Sequence, residues 1–385
     1  MELRELKKKF QNIYGAGEMR VFHSPGRVNL IGEHIDYNGG YVFPCAIELG
    51  TYGIVRERCD NKINFVSTNF KLKVETNVDE LGYRKEDDWA NYPKGVISIM
   101  KNKGYKVGGM DILISGNIPN GSGLSSSASL ELLIGEMINR LFNEGEISKI
   151  DLVKIAQEAE NKFVGVNCGI MDQFAVGMGR ASKGILLNCN TLEYKYAPVD
   201  LKDYTLVIMN TKKRRELNES KYNKRREECE KALEIIKTKK NIKYLCELTP
   251  EEFTKVKEII EDEDTRKRAE HAVFENYRVK DAFRKLSEGN LQEFGKLLVE
   301  SHNSLKNLYE VTGKELDTIV YEALKIEGCI GARMTGAGFG GCAIAIVHKD
   351  DITKFMEKLK ENYFCIIGYY PEFYVTGIGE GSREI

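Results

Sequence analysis

An α+β fold in two domains is what this 385-residue sequence predicts, on three observations. Strand-like and helix-like runs are mixed without the regular βαβ beat of a parallel sheet. The length supports two domains with a sizeable core. A stretch from Leu186 to Asp203, carrying Asn188, Asn190 and Pro198, reads as the junction and sets the domains at 1–190 and 191–385.

The elements follow in order. Met19 to His23, Val28 to Ile31 and Lys62 to Ser67 have β-branched or alternating apolar positions and predict strands. Met110, Ile112 and Ile114 alternate in a further strand that runs into GNIPNGSGLSSSASLELL, residues 116–133. After it, Leu130, Leu133, Ile134, Met137 and Leu141 recur at helical spacing, so a helix begins near Ser127 or Ala128. Leu152, Ile155, Ala156, Ala159 and Phe163 mark the next helix. Beyond the junction come a strand from Tyr204 to Met209 and a long helix from Ser220, with Tyr222, Cys229, Leu233 and Ile236 on one stripe. A charged helical region extends to about Tyr309. The glycine-rich GARMTGAGFGGCAIAIVH follows as a β segment, then a helix and a last strand from Phe373 to Ile378.

Composition excludes several classes. With 42% hydrophobic and 30% charged residues the chain is neither disordered nor fibrous. A formal net charge of -1 gives no reason to expect a polyanionic partner. The basic runs Lys212 to Arg215 and Lys224 to Arg226 lie among Glu216, Glu219, Glu227 and Glu228, a solvated helix face rather than a nucleic-acid surface. The opening MELRELKKKF lacks the apolar centre of a signal peptide, and no apolar run approaches the ~20 residues that span a bilayer. Nine cysteines are scattered singly without C-x-x-C spacing, which predicts reduced thiols in a cytoplasmic protein.

The serine-glycine stretch is the first functional candidate. A strand, a loop of small residues and an apolar-periodic helix place backbone N–H groups around an anion, and the helix dipole adds to the attraction. A helix cap accounts for one serine; four serines in the five positions 125–129 ask for more, either phosphate contacts or a magnesium ligand. No G-x-x-x-x-G-K-[ST] loop and no protein-kinase motif set is present. Gly336 to Gly341 matches G-x-G-x-x-G, but it runs into a buried strand where a dinucleotide fold requires a helix.

The segment SPGRVNLIGEHIDYNGGYVFP, residues 24–44, sets Arg27, Glu33, His34 and Asp36 between apolar stretches. Carboxylates and an imidazole on a rigid loop suit recognition of adjacent hydroxyl groups. Glu160 sits among Val153, Ala156, Phe163 and Val164, where a carboxylate needs a cationic partner or a metal. Asp172 falls in the first turn of a further helix, a position the helix dipole also favours for an acid of no other role.

Six segments in order carry a resemblance that covers nearly the whole chain. They are PGRVNLIGEHIDYNGGYVFPCAI, WANYPKGVI, PNGSGLSSSASLE, GVNCGIMDQFA, NESKYNKRREEC and TGAGFGGCAIAI. Together they resemble the GHMP small-molecule kinases, and within them the galactokinases. The resemblance implies an N-terminal domain related to a ribosomal-protein fold, a ferredoxin-like C-terminal domain and a site between them. It implies transfer of the γ-phosphoryl group of ATP to the anomeric hydroxyl of galactose, with Mg2+ required. Asp172 would be the general base and Arg27 would stabilise charge. Glu33, His34, Asp36, Gly169 and Tyr222 would line the sugar pocket, with core packing an equal reading for Tyr222. Gly121, Ser122, Gly123, Leu124, Ser125, Ser126 and Ser127 would wrap the phosphates, and Trp89 and Tyr92 would approach the adenine. Glu160 and one serine of the run, with Ser126 put forward, would hold the metal. The partners implied are galactose and ATP alone, with no nucleic acid or membrane, in a monomer or weak homodimer. A kinase for N-acetylgalactosamine or a related sugar, and a galactose sensor without turnover, are the alternatives. The unbroken serine run, Asp172 and Arg27 speak for the enzyme.

Overall fold

Side chains alternate across a strand, and three neighbouring strands use both faces of their sheet. Phe22, Val55 and Ile112 join a core beneath four helices, while Val21, Ile54 and Leu113 meet Leu6 and Phe10 of the Leu3–Tyr14 helix on the opposite face. The computed structural model describes residues 3–119, 122–213 and 218–385. The first sheet has six strands, ordered Arg383–Glu384, Arg20–Asn29, Pro44–Glu57, Met110–Gly116, Lys62–Ser67 and Val74–Asn77. Its neighbours are antiparallel apart from Lys62–Ser67 and Met110–Gly116, which run parallel.

The helices Asn91–Asn102, Ser126–Phe142, Lys149–Glu158 and Met171–Met178 cover the first face. Ser126–Phe142 is buried nearly all round, including Glu131, Glu136 and Asn139. Such a helix carries polar groups inward only where they find partners.

A second sheet of four antiparallel strands is ordered Cys329–Met334, Cys342–His348, Tyr204–Asn210 and Glu372–Thr376. Helices Leu291–Ser304, Gly313–Leu324 and Ile352–Ile367 pack with it, and the long Glu263–Ser287 helix joins them to Asn218–Lys237. Val28, Leu30, Ile31, Ile35 and Phe43, from the N-terminal half, share one apolar cluster with Leu206, Ile208, Ala272, Val279 and Leu298. The segment read as a hydroxyl-recognition loop is therefore embedded in the C-terminal half.

Most predicted elements stand, with informative shifts. The two strands expected at Met19 to His23 and Val28 to Ile31 are one, Arg20–Asn29, with a register shift between Pro25 and Arg27. Gly26 sits at that irregularity because a Cβ there would meet the Leu124 carbonyl oxygen at 2.8 Å. The first long helix starts at Ser126. The second ends at Glu158 and continues as a π-helical turn, Ala159–Val164, which carries Glu160. The expected junction is ordered: strands Lys183–Asn188 and Tyr194–Pro198 form a hairpin in a small sheet with Tyr41–Val42. A cut at residue 190 divides that hairpin, and Arg383–Glu384 returns to the first sheet. Among the described residues no helix is long and apolar enough to cross a membrane.

Candidate active site

Four segments meet around a cavity of about 510 Å³ lined by Arg27, Glu33, His34, Asp36, Gly169, Asp172, Tyr222 and Ala337, among others. The sugar-side residues, the predicted base and its arginine thus come together. Arg27 follows the bulge in the first strand and lies buried beneath Asp172. Its Nε and Nη2 donate to Asp172 Oδ1 at 3.0 and 2.9 Å, and its Nη1 donates to the Gly123 carbonyl at 2.6 Å. Ser125 Oγ donates to Asp172 Oδ2 at 2.6 Å. Asp172, in the first turn of the Met171–Met178 helix, keeps a third of its side chain exposed, so the carboxylate is held from below and open above.

Ser125 has a φ of 61°, in the left-handed region, and makes no side-chain cap although it precedes the Ser126–Phe142 helix. Its hydroxyl goes to Asp172 instead, so it leaves the first amides of that helix to other acceptors. Ser122 closes a local turn on the Pro119 carbonyl at 2.7 Å, and Leu124 is buried with its carbonyl accepting from the Arg27 amide at 3.1 Å. Gly121 lies outside the described residues.

The wall expected to meet the sugar is built by residues far apart in sequence. Glu33 is buried against Arg333 and accepts from the Gly336 amide at 3.1 Å. Burial raises the Glu33 carboxyl above the usual range, while Arg333 and that amide act against the shift. Arg333 also donates to the Leu30 carbonyl at 3.2 Å, His271 reaches the Glu33 carbonyl at 3.1 Å, and Glu275 accepts from the Gly32 amide at 3.1 Å. Asp36 is pushed up to about 6, by burial first, against the hydrogen bond from the Tyr37 amide, and with nearby Asp172 adding to the rise. Gly169 is explained by contact: a Cβ there would lie 2.6 Å from Asp36 Oδ2. His34, at a φ of 64°, is buried and held neutral, its pKa pulled down to about 3 chiefly by burial. Its Nδ1 and Nε2 already meet Tyr37 Oη at 2.8 Å and the Ala337 carbonyl at 3.0 Å, so neither ring nitrogen waits for a hydroxyl group. Tyr222 lines the cavity, 5.5 Å from the His34 ring between centroids, and so is more than a core residue.

Beside Asp172 lies a second carboxylate centre. Gln173 Nε2 donates to Glu160 Oε2 at 2.7 Å and to Glu131 Oε2 at 3.1 Å. Burial raises both carboxyl groups, Glu131 well above its usual range, and each has a negative neighbour. The serine that reaches Glu160 is Ser127; Ser126, put forward from the sequence, is exposed. Tyr92 faces the same group, its phenol pushed up to about 12 by burial and then by Glu160 and Glu131. Trp89 is buried and stacks on Phe70 with ring centroids 6.1 Å apart. Among the described residues no group of three or more His, Cys, Asp or Glu side chains forms a metal cage.

Sequence reasoning missed Glu131, Gln173, Arg333 and Glu275. Glu131 sits inside the helix stripe next to Leu130, and only its burial on every side separates it from a solvated glutamate. Arg333 stands 300 residues from Glu33, with no local signal of the pairing.

Comparison with known proteins now decides the family. A galactokinase galactose-binding signature matches residues 8–57, and the N- and C-terminal GHMP kinase domains match residues 91–180 and 280–365. A galactokinase of Clostridium tetani is 65% identical over 100% of this chain and 98% of its own length. The chain is a member of the galactokinase family. A galactokinase of Ligilactobacillus salivarius is 56% identical, with both chains fully covered. The crystal structure of Lactococcus lactis galactokinase complexed with galactose superposes with a TM-score of 0.95 at 48% identity, over 100% of each chain. The fold is therefore the two-domain GHMP kinase fold, and the cavity between the two halves is where galactokinase chemistry is to be sought.

Proposed function

We propose that this galactokinase transfers the γ-phosphoryl group of ATP to the anomeric hydroxyl of galactose at the Arg27–Asp172 pair. The observation that carries the reading is that pair, fixed at the edge of a cavity whose other wall is Glu33, Asp36, Gly169 and Tyr222. Asp172 orients the hydroxyl and takes its proton. A loose transition state needs deprotonation only late, so orientation of the hydroxyl is the larger part of the work of Asp172. Arg27 stabilises charge on the phosphoryl oxygens and the forming alkoxide. Ser125 fixes the second oxygen of Asp172, so that the carboxylate meets the hydroxyl in one orientation. The phosphates lie along 122–127, where the helix amides are not taken by a cap. Trp89 and Tyr92 flank the nucleotide.

The Glu160 centre fits Mg2+, because two buried carboxyl groups meet there with a serine hydroxyl and no cationic side chain among the described ion pairs. Glu160 and Ser127 would hold the ion, which neutralises charge on the phosphates when bound. Few protein ligands are needed, since Mg2+ keeps waters and phosphate oxygens in its shell. The unbroken run from Ser125 to Ser129 and the paired Asp172 weigh against a sensor without turnover. Nine free cysteines support a cytoplasmic enzyme.

The test is release of ADP from MgATP with a panel of acceptors. Galactose supports turnover, while N-acetylgalactosamine, glucose, mevalonate and homoserine support far less. Equal or absent turnover across the panel refutes the reading.

A further inference from the structure

Behind the sugar-side wall runs a chain of hydrogen bonds that none of the roles above uses. Cys229 Sγ lies 3.1 Å from Tyr309 Oη, which lies 2.8 Å from Tyr37 Oη, which lies 2.8 Å from His34 Nδ1. His34 Nε2 closes the chain on the Ala337 carbonyl at 3.0 Å. Its direction follows by elimination. A carbonyl only accepts, so Nε2 carries the proton, and the neutral ring leaves Nδ1 bare. Nδ1 then accepts from Tyr37, Tyr37 accepts from Tyr309, and Tyr309 accepts from the Cys229 thiol. Every hydroxyl and thiol proton in the chain has one place to go.

The chain joins four parts of the fold: the Asn218–Lys237 helix, the π-helical turn Leu305–Tyr309, the loop holding His34 and Tyr37, and the glycine loop between Met334 and Cys342. Tyr309 and Cys229 are buried, so water does not compete with their bonds. The His34 ring is also clamped between Tyr309 and Tyr222, with centroids 4.8 and 5.5 Å away. His34, Gly336 and Ala337 all line the cavity.

We propose that Tyr37, Tyr309 and Cys229 are positioning residues that lock His34 in its Nε2–H tautomer, and that His34 so locked fixes the Ala337 wall of the sugar pocket. His34 then shapes that pocket by its ring and by the wall it holds, while hydrogen bonds to the sugar come from other groups such as Asp36. The role assigned to the pocket rests on the galactokinase reading; the tautomer does not.

The experiment uses full-length protein labelled with 15N-histidine, whose five histidines are resolved by long-range proton–nitrogen correlation, with His34→Gln assigning the signal. His34 reads as the neutral Nε2–H form with a hydrogen-bonded Nδ1. In Tyr37→Phe the Nδ1 signal moves toward that of an unbonded nitrogen. The KM for galactose rises about five- to tenfold, the loss of roughly one buried hydrogen bond, while kcat and the KM for ATP stay within about twofold. Cys229→Ser, which keeps a donor, retains the wild-type Nδ1 signal and galactose KM, whereas Cys229→Ala shifts both. An Nδ1–H tautomer, an unmoved signal in Tyr37→Phe, or identical behaviour of the two Cys229 variants overturns the proposal. Failure of the galactokinase reading is separately visible as absence of galactose turnover in the wild type, with the tautomer still read by the spectrum.

Discussion

Asp172 and Glu160 are electrostatic neighbours, yet their negative charge is met in opposite ways. Asp172 is gripped by the buried Arg27 guanidinium and by the Ser125 hydroxyl. Glu160 meets a second carboxyl group, Glu131, and the neutral donors Gln173 and Ser127. A buried charge without a partner is costly, and like charges at one site push carboxyl groups toward their protonated form. The first centre therefore brings its cation with the fold, whereas the second has no cationic side chain among the described ion pairs, which is why it is the proposed place for Mg2+. Glu275 is the extreme of the first kind. Burial alone would raise it, but Arg278, His271 and Arg333 outweigh burial and hold its carboxyl down at about 2.

The comparison is broken most severely at Asp172. Asp172→Asn lowers kcat by about 10²–10⁴-fold, the range for loss of a general base, with nucleotide binding within about twofold. Single-turnover ADP release and fluorescence titration of ATP check the two halves of that statement. Unchanged kcat would remove Asp172 from the chemistry.

Glu275 tests built-in compensation through stability. The unfolded chain takes up a proton near the ordinary glutamate value of 4.5, whereas the folded chain does so only near 2. Stability from this group is complete above 4.5 and is lost as pH falls toward 2. Urea unfolding at pH 6 and pH 3 gives a fall that Glu275→Gln reduces by about 2 kcal/mol. An equal fall in wild type and variant would mean the carboxylate is not held by its cations.

Ser125→Ala is the mildest change, since it frees one oxygen of Asp172 and leaves Arg27 in place. It lowers kcat about tenfold, the weight of one charge-assisted hydrogen bond, with the KM for galactose nearly unchanged. Steady-state rates over a galactose series separate the two constants. A rise in KM alone would assign Ser125 to sugar binding.

What the sequence made legible follows the range of each interaction. Met110, Ile112 and Ile114 alternate within seven residues, and their strand is where the pattern puts it, because pleat and pattern share a period of two. Asp172 was readable as a first-turn acid and Ser125 as part of a special loop. The direct bond between them was not, because it spans 47 residues and needs Ser125 in a left-handed conformation. Pro25 and Gly26 made one strand look like two, since a bulge uses the same residues as a break. Arg333 and Glu275 hold the Gly32–Glu33 segment across some 240 to 300 residues of chain. Glu131 was hidden for the opposite reason: its neighbours in sequence are ordinary, and its partner comes from another helix.

The division of charge between the two centres is tested most directly by calorimetric titration of Mg2+ into enzyme saturated with a non-hydrolysable ATP analogue. Wild type, Asp172→Asn and Glu160→Gln are compared. Glu160→Gln weakens the metal-dependent step by about 10–100-fold while Asp172→Asn leaves it within about twofold. Loss of Mg2+ affinity in Asp172→Asn equal to that in Glu160→Gln would contradict it, placing the metal on the carboxylate that Arg27 was thought to satisfy.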